Sequence, residues 1–174
     1  MKIALIGKSG SGKDTVSNIL VSNYGFKKIN FSDDIYKIAR EIFQMKDKDR
    51  NLLQKIGDKL REIDEFVFIK SVLKKCENIE NVLVGDCRLI TEYNALKEKG
   101  FVFLYIKAEE SERIKRLRKR DGSSQKEFLE HKTETQVNEI LREGKHITIE
   151  NYGNIEDLAD KIKMILNEKM NRYF

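Results

Sequence analysis

Residues 3–15 read Ile3-Ala4-Leu5-Ile6-Gly7-Lys8-Ser9-Gly10-Ser11-Gly12-Lys13-Asp14-Thr15. An apolar run of strand length passes straight into a glycine-rich turn, and from Thr15 onward the apolar spacing becomes helical. The turn has the form G-x-x-x-x-G-K, and strand, loop and helix are the context in which that pattern means phosphate binding. Glycines let successive backbone N–H groups converge on phosphate oxygens, and the helix N-terminus adds positive potential. Lys13 is expected to reach the β- and γ-phosphates of ATP. Gly7, Gly10, Ser11, Gly12, Lys13, Asp14 and Thr15 are thus the candidate ATP-binding residues of the loop. The competing reading is an ordinary glycine turn without a ligand, and the combination with Lys13 at the first strand–helix junction weighs against it.

One position departs from the common pattern. Where a hydroxyl residue usually follows the lysine and ligates Mg²⁺, this chain has Asp14 and then Thr15. A carboxylate is also a hard oxygen ligand, so Asp14 and Thr15 are candidate metal ligands. The alternative is that Asp14 is an acid favoured in a helix's first turn.

Outward from this loop the chain alternates short apolar runs with amphipathic stretches. The strands are expected at Ile3–Ile6, Lys28–Phe31, Val82–Val84, Phe101–Ile106 and Ile147–Ile149. Helical spacing runs over Thr15–Asn23, Asp34–Gln44, Lys48–Lys75 with a break near Asp64, Glu92–Lys99, Ser111–Arg120, Lys126–Arg142 and Ile155–Lys169. Strands separated by helices predict βαβ units, hence a doubly wound α/β fold whose parallel sheet is covered on both faces. Its ligands belong at the carboxyl ends of the strands. A length of 174 residues suits one domain with a proper core.

Composition narrows the classes. Hydrophobic residues make up 40% and charged residues 36%, and the longest apolar run, Phe101–Ile106, is far short of the ~20 residues a membrane helix needs. The apolar start, Ile3–Ile6, is too short for a signal peptide, so a cytoplasmic protein is expected. Cys76 and Cys87 have no paired or metal-type spacing and are expected as reduced thiols. A net charge of +5 suits anionic substrates without specifying one.

Further matches follow the loop in order. Beyond Gly12-Lys13-Asp14-Thr15 come Phe31-Ser-Asp33-Asp-Ile35, Leu53-Gln54-Lys-Ile-Gly57 with Arg61, Asp86-Cys-Arg88-Leu-Ile-Thr-Glu92, His131-Lys-Thr-Glu134 and Ile149-Glu-Asn151-Tyr-Gly153. Together they resemble the deoxynucleoside monophosphate kinases typical of bacteriophages, with a lysine of the second segment displaced to Lys37. The resemblance implies the P-loop nucleoside monophosphate kinase fold, a three-layer αβα arrangement on a five-stranded parallel sheet with a small lid over roughly residues 113–134. It implies phosphoryl transfer from ATP, with Mg²⁺, to a nucleoside monophosphate. Dephospho-coenzyme A kinase is the nearest alternative, but it carries proline where this chain has Arg88. Animal phosphomevalonate kinases, with their own G-K-D loop and D-x-R segment, are a third.

The chemistry of such a transfer constrains the remaining residues. A monophosphate acceptor is already largely anionic at pH 7, so no general base is required. The site must hold two mutually repelling anions and stabilise the charge of the transferring group. Arg88 and Arg61 are candidates for the acceptor phosphate, joined on that side by Asp33, Lys37, Gln54 and Asp86. Surface ion pairing of Arg61 with Glu62 or Asp64 is the competing reading. Asp86, at the end of an apolar strand, is also a candidate for Mg²⁺ or its water shell. Arg113, Arg116 and Arg120 fall on one helix face and are expected to meet ATP phosphates, with Arg116 counted among the catalytic candidates beside Lys13, Asp14 and Arg88. The same basic helix could instead be a solvated face or a nucleic-acid patch; it lacks interleaved aromatics, so nucleic acid is not expected as a partner. Asn151 is expected in a loop lining the adenine pocket, or in a simple turn. The expected partner is a small phosphate-bearing acceptor, with the protein a monomer or homodimer. A P-loop switch without catalysis is the other class, and the guanine motif N-K-x-D is absent.

Overall fold

The computed structural model describes residues 1–121 and 132–170. Its centre is a parallel sheet in the order β2-β3-β1-β4-β5, with β1 Lys2–Ile6, β2 Lys27–Ile29, β3 Val82–Cys87, β4 Val102–Lys107 and β5 Ile147–Glu150. Helix α1 (Lys13–Tyr24) links β1 to β2. Helices α2 (Asp33–Glu41), α3 (Arg50–Ile63) and α4 (Val67–Lys75) lie between β2 and β3, and α5 (Ile90–Glu98) between β3 and β4. Helices α6 (Glu110–Asp121) and α7 (Lys132–Glu143) precede β5, and α8 (Ile155–Met170) follows it.

The three layers follow from the period-two alternation of the strands. Ile3 and Leu5 of β1, Leu83 of β3 and Leu104 and Ile106 of β4 face α1 and α8, whose Val16, Leu20, Leu158 and Ile162 complete one core. Ala4, Ile6, Val82, Val84 and Phe103 face the opposite way, against Ile35, Phe68, Val72, Leu96 and Ile140 from the remaining helices. Successive connections from β1 and β3 therefore leave the sheet toward opposite faces, and a crevice opens between their carboxyl ends.

Local chemistry sets the element ends. Asp49 caps α3 by accepting from the Leu52 amide at 3.0 Å. The break expected near Asp64 is present: Asp64 is extended and its carboxylate takes the Phe66 amide at 3.0 Å, starting α4 on a new axis. Helix α2 stops at Glu41, short of the expected Gln44. Gln44 takes a left-handed φ of 53°, and the Met45 amide returns to the Ala39 carbonyl. The expected helix Lys126–Arg142 is described from Lys132 onward; its earlier turns and residues 122–131 of the expected lid lie outside the described residues. Among the described residues no helix is long and apolar enough to cross a membrane. Cys76 and Cys87 are both buried and free, and burial pushes their thiols up.

Candidate active site

The loop between β1 and α1 sits at the crevice, and its backbone is fixed from outside by side chains distant in sequence. Arg113 Nε donates to the Ser9 carbonyl at 2.9 Å, Arg116 Nη1 to the Gly10 carbonyl at 3.4 Å and Asn151 Nδ2 to the Ser11 carbonyl at 2.8 Å. Lys13 Nζ takes the Gly7 and Lys8 carbonyls at 2.5 and 2.9 Å. Carbonyls 7 to 11 are thus all held by cationic or amide donors, which leaves the loop's concave side to its N–H groups. Gly10 and Gly12 have φ of 79° and 101°. A Cβ on Gly10 would stand 2.7 Å from the Arg113 carbonyl, and one on Gly12 would overlap Asn151 Nδ2. Only glycine admits so close an approach at that φ.

In front of the loop lies a cleft of about 490 Å³, within the range of small-ligand sites. Its lining includes the phosphate loop, with Ser9, Gly10, Gly12, Lys13, Asp14 and Thr15, and Arg116 of α6. Gln54 and Arg61 of α3, Arg88 after β3 and Asp33, Ile35 and Tyr36 of α2 line it as well. Most of the expected residues are therefore brought to one cavity from four separate connections.

Several residues are engaged differently from expectation, although Asp33, Arg61 and Asp86 do line the cleft. Arg113 and Asn151, each 8% exposed, are buried behind the loop and grip its carbonyls, so neither presents its side chain to the cleft. Lys37 is outside the cleft, in a shallow groove on α2 with Asp33, Tyr36 and Arg40. Its register turns it away, next to Asp34. Both oxygens of Asp86 accept backbone amides, from Phe31 at 2.8 Å and Ser32 at 3.0 Å, so this carboxylate ties the β2–α2 turn to the end of β3. Asp33 caps the same turn through the Asn30 amide and side chain. Arg61 pairs with neither Glu62 nor Asp64, which face Lys59 and Lys70. Its guanidinium lies 4.9 Å from the centre of the Phe68 ring and 3.7 Å from Glu92. The side chains of Arg120 and Glu134, and the whole of His131, lie outside the described residues.

The fold also supplies residues the sequence reading passed over. Lys28 reaches from β2 to Asp14 at 3.3 Å. It has room because Gly85 has no side chain: a Cβ there would stand 2.8 Å from Lys28 Cε. Asn30, Tyr36, Lys48 and Arg50 join the cleft wall. Glu92 is 3% exposed and accepts the Arg88 and Leu89 amides at the start of α5. Burial, reinforced by the Asp86 charge, lifts its carboxyl to about 7 against the opposing pull of those amides and Arg61. Its place four residues after Arg88 was the available signal, but the usual hydroxyl of a capping box is replaced by Leu89.

Comparison with known proteins agrees with this geometry. Residues 3–141 match the family model of the AAA domain. A cytidylate kinase of Methanosarcina barkeri is 30% identical over 99% of this chain and 91% of its own length. The chain belongs to the AAA-domain family of P-loop proteins. An adenylate kinase of Parabacteroides distasonis is 26% identical over 96% of this chain and 98% of that one. Such full-length likeness to kinases makes this family member a phosphotransferase of the nucleotide-kinase kind. The fold is shared with the crystal structure of TT1252 from Thermus thermophilus, at a TM-score of 0.66, 22% identity and 97% coverage of both chains.

Proposed function

We propose that the protein transfers the γ-phosphoryl group of ATP to a nucleoside or deoxynucleoside monophosphate, giving ADP and the diphosphate. One observation carries this reading: the phosphate loop and two arginines from other connections, Arg61 and Arg88, line the same cleft. A single anion would need only the first. Two anionic substrates placed head to head need cations at both ends, and a guanidinium holds phosphate oxygens bidentately. The curated relatives named as adenylate and cytidylate kinases support an acceptor of this class.

The residues divide by position. Backbone amides of the loop and Lys13 hold the donor phosphates, and Arg116, anchored on Gly10, lies over the cleft beside the point of transfer. Asp14 and Thr15 both border the cleft and are hard oxygen donors, so a magnesium ion fits there. When bound, that ion neutralises phosphate charge. Asp86 serves as a structural tie, since both of its oxygens already accept amides. Arg61 and Arg88 orient the acceptor, Gln54 and Tyr36 wall its nucleoside side, and the acceptor oxygen attacks without a protein base.

Arg88→Lys tests the division. Lysine keeps the charge but loses the fork, so KM for the monophosphate should rise about tenfold or more while KM for ATP stays within about twofold. An equal rise in both constants, or none in either, contradicts the assignment.

A further inference from the structure

We propose that Glu92 is a positioning residue that makes Arg61 and Arg88 a single unit for the acceptor phosphate, an assignment that rests on the monophosphate reading above. The carboxylate borders the same cleft as both arginines and is 3% exposed. Its Oε2 accepts the Arg88 amide at 2.9 Å and the Leu89 amide at 3.1 Å, which fixes the backbone from which the Arg88 side chain starts. Its Oε1 faces Arg61 Nη2 at 3.7 Å. That separation is beyond a hydrogen bond, so Glu92 orients the guanidinium without saturating its donors.

Arg61 is confined on its other sides. The Phe68 ring covers one face at 4.9 Å, and Asp58 stands 3.9 Å from Nη1. Gly57 lies beneath the guanidinium: a Cβ there would come to 3.0 Å from Arg61 Nη1. A side chain at this mid-helix position would crowd the Arg61 guanidinium where it lies across α3. The result is a guanidinium only 13% exposed that still lines the cleft. A largely buried cation held loosely by a neighbouring carboxylate is preorganised for an arriving anion.

Glu92→Gln separates this role from simple capping. The glutamine carbonyl can still accept both backbone amides, but its NH₂ group would confront the Arg61 guanidinium, donor against donor. Steady-state kinetics would be measured with ATP and each of AMP, CMP, dCMP and dTMP, taking whichever the wild type uses best. KM for that monophosphate should rise about tenfold in Glu92→Gln, with KM for ATP unchanged. In an Arg61→Met background the same substitution should change KM less than about twofold, because a residue acting through Arg61 cannot act twice. Should Glu92→Gln not fold, Glu92→Asp, which withdraws the charge by one methylene, is expected to show the same selective rise. A wild-type KM in the folded variant, or additive effects of the two substitutions, overturns the assignment of Glu92 alone. No wild-type turnover of any of the four monophosphates overturns the acceptor reading, and this inference with it.

Discussion

Asn151, at the end of β5, donates its side-chain amide to the carbonyl of Ser11 at 2.8 Å and so closes the phosphate loop from a point 140 residues away. The donor is buried and packed against Gly12, so its removal leaves the Ser11 carbonyl without its side-chain partner in a water-poor site.

Asn151→Ala is therefore expected to loosen the loop without unfolding the sheet. ATP affinity, followed by calorimetric titration, should fall about tenfold, while KM for the acceptor changes little. Equal losses on both substrates would mean that the residue supports the fold generally.

Asp14 is 81% exposed on its side chain and stands 3.3 Å from Lys28. If its carboxylate does the magnesium work usually given to a hydroxyl, Asp14→Asn should raise the Mg²⁺ concentration needed for half-maximal rate and slow transfer. Metal-free nucleotide binding should improve as repulsion is relieved. An unchanged magnesium titration together with an unchanged rate would leave Asp14 as a helix-start acid only.

Glu92 gives the stability a pH dependence of defined sign. Its folded carboxyl titrates near 7 against an ordinary 4.5, so the native state binds the proton more tightly than the unfolded chain does. Stability is then lost as pH rises from about 4.5 to 7, by about 3 kcal/mol, and the loss is complete above 7. Glu92→Gln removes this titration. Its stability relative to wild type should therefore be higher at pH 8 than at pH 5, as read from denaturant curves. A difference that does not vary with pH contradicts the burial account. A carboxylate kept where it destabilises the fold accords with a functional role for it.

The parts of this site that were legible in the sequence are those in which chemistry and chain order coincide. The β1 run, the glycine turn and Lys13 are contiguous, and the break at Asp64 is local, made by one side chain and an amide two residues on. Arg61 and Arg88 could be marked by residue type because an acceptor phosphate calls for guanidinium groups, whereas Gln54 came only with the family resemblance. The grips of Arg113 on Ser9 and Asn151 on Ser11 span 104 and 140 residues, and nothing local distinguishes a side chain that holds the loop from one that faces the ligand. Lys28 was obscured for a related reason: its reach to Asp14 depends on the empty side-chain position of Gly85 on the neighbouring strand. Lys37 shows the converse, a plausible charge whose helical register turns it out of the cleft.

In the proposed reaction the cleft holds two phosphate-bearing substrates between which a phosphoryl group passes. The most direct measurement is product analysis by ³¹P NMR or anion-exchange chromatography after incubation with ATP, Mg²⁺ and, separately, nucleoside monophosphates, deoxynucleoside monophosphates and dephospho-coenzyme A. Lys13→Ala serves as the control. The expected result is equimolar ADP and nucleoside diphosphate from at least one monophosphate, with the rate lowered by about 10²-fold or more in Lys13→Ala. Phosphorylation of dephospho-coenzyme A alone, or turnover that survives the loss of Lys13, would contradict the account.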